Sequence, residues 1–144
     1  MRKFSGSTII IFLVFLVSTV YAQAGTITVK VTQIDVKGGG EVKIGVYASE
    51  GFPLTGKDLE GVDLKVKESS ATHVFNNIPV GIYAIAVIQD ENMDGKLTKN
   101  FFGAPKEPYG FSKNKYRMFG PPKFEDVSFA VENEGNISLT VNLE

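Results

Sequence analysis

The chain of 144 residues has no cysteine and a single histidine, His73. Without thiols there is no disulfide, no thiolate nucleophile and no cysteine after the N-terminal apolar run to carry a lipid. One histidine and no cysteine cannot supply the nitrogen and sulfur ligands of an ordinary zinc site. His73 lies in "THVF", a stretch of strand character. Chance placement on a sheet surface is a simpler reading there than membership of a catalytic triad. Also missing are any internal repeat and any helical hydrophobic period sustained over three turns. The formal net charge is only −1. With no recognised nucleic-acid module, that small negative balance speaks against nucleic acid as a partner.

What is present begins at the N-terminus. Arg2 and Lys3 precede an apolar run at 9–20, "IIIFLVFLVSTV", and "AQA" follows at 22–24. A basic start, a short apolar stretch and small residues at signal-peptidase spacing read as a secretory signal peptide. A bilayer span needs roughly 20 apolar residues, and this run is shorter. The expectation is therefore a signal peptide at 1–24, with cleavage after Ala22 the alternative, and a single domain at 25–144. The protein would be exported to the periplasm or beyond, with no stable membrane anchor after cleavage. About 120 residues are enough for one core without covalent staples.

The rest of the chain alternates with period two. "TITVKVTQI" at 26–34 and "EVKIGVYA" at 41–48 flank a Gly-rich turn and read as an antiparallel pair. "VDLKVKE" at 62–68 and "THVFNNI" at 72–78 follow. "GIYAIAVIQD" at 81–90 is apolar on both faces, which predicts a central strand covered on both sides. From Glu91 to Lys123 the period disappears. Alternation resumes at "EDVSFAVE", 125–132, and "NISLTVNL", 136–143, with "NEGN" between them as a hairpin turn. Seven short strands without a long helix predict an all-β, antiparallel β-sandwich of Ig-like type. The segment 90–123 is then one long loop. Disordered segments are poor in aromatics, and this one is rich in them, so it should be ordered.

Two stretches carry a resemblance. "VFNNIPVGIYAIAVIQD", 74–90, is similar to the F-x-x-(I/L)-P-x-G-x-Y-x-(I/V)-x-V hairpin of transthyretin-like and carboxypeptidase-regulatory-like sandwiches, with Phe75 and Ile78 entering the core. "DENMDGKLTKNFFGAPKEPYGFSKN", 90–114, with "PPKFEDVSFAV", 121–131, resembles a family of small exported bacterial proteins known mainly as a domain of unknown function. The likeness covers nearly the whole exported part. It implies a compact sandwich and export, with no established activity.

Two candidate sites lie in the loop. In "DENMDGKL", Asp90, Asn92, Asp94 and the Lys96 carbonyl occupy the first alternate positions of a calcium loop, with Gly95 at the sharp turn. The bidentate glutamate at position 12 is replaced by Phe101, and no helices flank the loop. A remote carboxylate, Glu107, Glu125 or Asp126, would have to complete the site. The competing reading is a hairpin or Asx turn, with "DG" in the turn geometry and Asp90 accepting nearby backbone N–H groups. The cofactor expectation is accordingly either none or Ca²⁺.

The second candidate is a ligand patch of Tyr109, Lys113, Tyr116 and Arg117, where rings would stack and cations meet an anion. Residues 96–123 hold seven basic side chains against Glu107 alone, a balance of +6, while the rest of the exported part stands at −9. The aromatics could instead seal one end of the sandwich. One arrangement satisfies both readings: Phe101 and Phe111 buried, Tyr109 and Tyr116 exposed.

The functional expectation is a non-enzymatic exported binding module with 90–123 as its working surface, facing an envelope glycan or protein of anionic character. The alternatives are a small hydrolase using loop carboxylates and a purely structural envelope module.

Overall fold

The computed structural model describes residues 22–144. The apolar run at 9–20 lies outside them. Among the described residues, no helix is long and apolar enough to cross a membrane.

Eight strands form two packed sheets: β1 Ala24–Thr32, β2 Glu41–Tyr47, β3 Glu60–Lys65, β4 Ser70–Pro79, β5 Gly81–Asp90, β6 Tyr109–Phe111, β7 Phe129–Val131 and β8 Asn136–Asn142. One sheet has the order β4-β1-β8. The other runs β3-β2-β5-β6, and β7 also pairs with β5. The sandwich is as the periodicity implies. The eighth strand, β6, comes from inside the segment that sequence periodicity leaves irregular.

Alternation explains the core. Ile27, Val29 and Val31 from β1 meet Val42, Ile44 and Val46 from β2 and Tyr83, Ile85 and Val87 from β5. Each such side chain contributes about 1.5–3 kcal/mol on burial. The other face of β5 is covered too: Ala84 packs with Phe111 and Val127 in a second cluster that includes Phe52, Tyr109, Tyr116 and Phe124. β5 is thus central and apolar on both faces, as its sequence predicts.

Three pairings differ from expectation. β1 and β2 lie in different sheets; β1 pairs with β4, and β2 pairs with β3 and β5. Two strands that each have one apolar face bury both faces by stacking across the sandwich, and alternation alone does not distinguish that from pairing side by side. β8 runs parallel to β1, so the sandwich is not wholly antiparallel. Finally, "NEGN" joins strands of opposite sheets: β7 pairs with β5, and β8 with β1.

The "FNNIP" motif acts through a bulge. Phe75 and Ile78 are three residues apart and would face opposite ways in a regular strand. Between the pairs Gly25–Ile78 and Ile27–Phe75, β1 advances two residues and β4 three, with Asn77 at φ 58°. The extra residue turns both side chains inward.

Candidate functional site

The long loop starts where β5 ends. Asp90 is fully buried. Its Oδ1 accepts the Asp94 N–H at 3.1 Å and its Oδ2 accepts the Gly95 N–H at 2.8 Å. Gly95 takes φ +83°, the left-handed turn conformation that glycine adopts without strain. Asn92 Oδ1 also accepts the Asp94 N–H, and Asp94 Oδ1 accepts the Lys96 N–H, both at 3.0 Å. All three side chains of the calcium reading therefore accept hydrogen bonds from backbone N–H groups of the turn, the pattern of nested Asx turns. Lys43 Nζ, which pairs with Asp63 at 2.6 Å, is 3.9 Å from Asp90. Among the described residues, no three His, Cys, Asp or Glu side chains converge as a metal site.

Glu107 holds the base of the loop. It is buried, and its Oε1 accepts the N–H groups of Glu91 and Asn92 at 3.0 and 3.4 Å. Its Oε2 accepts the Thr98 N–H at 2.7 Å. Three backbone donors converge on one carboxylate, which ties both arms of the loop together. The remote carboxylate of the calcium reading is thus committed to the backbone, while Glu125 and Asp126 lie exposed on the helical turn α1, Phe124–Val127. That turn occupies part of the predicted strand 125–132. Periodicity over four residues cannot separate one helical turn from a short strand.

The stretch 109–116 stitches the two sheets together. Tyr109 exchanges both backbone hydrogen bonds with Glu144, at 3.1 and 3.0 Å, while β6 pairs with β5. Gly110 passes so close to β8 that a Cβ there would lie 2.6 Å from a Val141 methyl. Only glycine permits that approach. β6 and β7 share one edge of β5, and Ser112 fills the gap between them: Ile85 N–H donates to its Oγ at 3.0 Å, and the hydroxyl donates to the Val127 carbonyl at 2.6 Å. Asn114 serves β8 similarly. Its amide donates to the Thr140 carbonyl at 3.1 Å and accepts the Asn142 N–H at 2.8 Å. Tyr116 donates its hydroxyl proton to the Asn142 carbonyl. Burial, with the nearby Glu144 and Tyr109, pushes its phenol up to about 12.

Exposure of the aromatics runs against expectation. Phe111 is buried as anticipated. Tyr109 and Tyr116 are half-buried, with ring centroids 5.9 Å apart in the second cluster, so they do not form an open stacking platform. Lys113 and Arg117 are exposed beside them. Phe101 is 97 % exposed and Phe102 90 %; Met118 and Phe119 are 90 % and 83 % exposed. Phe101 and Phe102 sit at the apex of a closed turn. Asn100 Oδ1 accepts the Phe102 and Ala104 N–H groups at 2.9 and 3.0 Å. Asn100 N–H donates to the Ala104 carbonyl, and Lys99 bridges Pro105.

Sequence reasoning missed Gln89, Ser112 and Asn114. Gln89 is buried, donates to the Asp35 and Gly39 carbonyls at 2.7 and 2.9 Å, and accepts the Asp35 N–H at 2.9 Å, which fixes the Gly-rich connection. A signal existed: Gln89 continues the core-facing series Tyr83, Ile85, Val87. A hollow of about 200 Å³ lies at the seam of β3 and β4, lined by Ile34, Val42, Leu64, Val66 and Ala71. A second is bounded by Ala48, Gly51 and Leu59. Neither is lined by residues 90–123.

The fold and loop define a β-sandwich domain with one ordered, sheet-stitching loop that carries exposed apolar tips. The chain belongs to the bacterial family described as "Uncharacterized protein conserved in bacteria (DUF2141)", which matches residues 23–139. Searches of curated proteins and of solved structures returned no match.

Proposed function

We propose that this protein is an exported, non-enzymatic binding module of the bacterial envelope, with the segment 90–123 as its working surface. One observation carries the reading: five large apolar side chains, Met93, Phe101, Phe102, Met118 and Phe119, stand in solvent on this one segment. Large apolar side chains held in solvent in such number on one segment mark it as a contact surface. The structural-module alternative draws on the stitch at 109–116, which accounts for Tyr109, Gly110, Phe111 and Ser112. It gives the exposed phenylalanines no role. The hydrolase alternative loses support because Asp90 and Glu107 both accept backbone N–H groups. Assay for esterase and glycosidase activity, with Asp90→Asn and Glu107→Gln as controls, separates it from the binding reading.

Export is carried by the sequence at 1–24. The finer transthyretin-like relationship rests on the 74–90 motif and its bulge. The turn at 90–97 serves this surface by aiming the chain out of the sheet, and its side-chain-to-backbone hydrogen bonds close it locally.

The test is photo-crosslinking in a bacterium that exports the chain, from a photoreactive residue at position 102 or 119, with exposed Thr72 on β4 as control. Discrete adducts from 102 or 119 that are absent from 72 support the reading. The same background from all three positions overturns it.

A further inference from the structure

The apex 99–106 differs from an ordinary exposed loop in three ways. Its backbone is closed on itself by Asn100, by the Lys99–Pro105 bridge and by the Lys106 N–H to the Thr98 carbonyl at 2.9 Å. Its two rings stand almost wholly in water, edge to face at 5.5 Å, and neither belongs to either apolar cluster. Its charge is of one sign: from Lys96 to Lys106 there are three lysines and no acid. All three lysines are exposed. Among the described residues the ion pairs all involve Lys43, so Lys96, Lys99 and Lys106 have no carboxylate partner.

We propose that this apex is a wedge that inserts Phe101 and Phe102 into the interfacial region of an anionic lipid bilayer, with Lys96, Lys99 and Lys106 on the headgroups. The inference rests on the working-surface reading and names its partner. Two features favour a bilayer over a protein. The apex is a closed tip of eight residues, 99–106, and a stable protein interface draws on roughly 20–30 residues a side. A bilayer needs no matched surface: it takes apolar rings at the depth of the headgroup boundary and gathers basic side chains to its negative charge. The rigid backbone reduces the ordering that insertion would otherwise require. The protein would lie on the membrane without spanning it.

Residues 22–144 contain all eight strands and both clusters, so this segment is the folded body to test, free of the apolar run at 9–20 that would itself enter lipid. The probe is co-sedimentation with vesicles of phosphatidylglycerol and phosphatidylcholine, against vesicles of phosphatidylcholine alone. Binding is expected to the mixed vesicles, to weaken with salt, and to fall about tenfold for each ring removed in Phe101→Ser and Phe102→Ser. Lys99→Glu/Lys106→Glu should remove the preference for the anionic lipid while leaving the melting temperature unchanged. Equal sedimentation of the parent and the double serine variant overturns the proposal. Adducts from position 102 in cells would then leave the working-surface reading standing with a partner other than lipid; their absence as well would remove both.

Discussion

The Ser112 hydroxyl oxygen lies 3.0 Å from the Ile85 amide nitrogen and takes the place of a strand residue between β6 and β7. Ser112 is wholly buried. Replacement by alanine leaves both the Ile85 N–H and the Val127 carbonyl without this partner in a site closed to water. The expected cost is about 1–3 kcal/mol. Urea unfolding of Ser112→Ala checks it, and an unchanged m-value would locate the effect in the native contact.

Glu107 organises the loop through charge. Glu107→Gln keeps the shape but replaces one accepting oxygen with an NH₂ group that faces backbone donors. A loss of about 2–3 kcal/mol is expected, because charge-assisted bonds are given up and one donor faces another. Hydrogen exchange should report it first at the amides of Glu91, Asn92 and Thr98. Equal protection in the variant would remove Glu107 from this role.

The turn at 90–97 is expected to stand without calcium. Adding calcium to the folded body should leave the melting temperature where it is, since a ligand stabilises only what it binds. Asp90→Asn should lower stability by about 2–3 kcal/mol in either condition, because the charge-assisted bonds are lost and the amide NH₂ faces one of the two backbone N–H groups. A calcium-dependent rise in melting temperature that Asp94→Ala abolishes would reinstate the metal reading.

Alkaline pH offers a separate check. Burial, with Asp58 nearby, raises the Tyr47 phenol to about 12, and burial with Glu144 and Tyr109 does the same for Tyr116. In the unfolded chain both titrate near about 10. Their folded values are raised, so their contribution is fully present below pH of about 10 and is lost as pH rises through about 12. Stability measured across that window should fall, and Tyr116→Phe should make the fall shallower. An identical slope in the variant would contradict the assignment.

These checks bear on what was readable beforehand. The strands were legible because Ile27, Val29, Val31 and their counterparts keep strict alternation, and the centrality of β5 because both its faces are apolar. β6 was hidden: three residues after Pro108 carry no period of their own, and only distant partners, β5 and Glu144, make them a strand. Ser112 and Asn114 were hidden for the same reason, since the backbone groups they satisfy lie 15 or more residues away. Phe101 is exposed where its apolar character predicts burial. Asn100 closes the turn locally, which places Phe101 and Phe102 at an apex with no core within reach. The Asx turn was legible because its bonds join neighbours in sequence.

The loop divides into residues that hold the fold, Asp90, Glu107 and Ser112 among them, and rings that face outward, Phe101 and Phe102. The most direct test is the unfolding free energy of Phe101→Ser/Phe102→Ser. Rings that contact no core should leave it within about 0.5 kcal/mol of the parent. A loss of about 3 kcal/mol or more per ring, the cost of truncating a packed phenylalanine, would contradict that division and return the tip to the core.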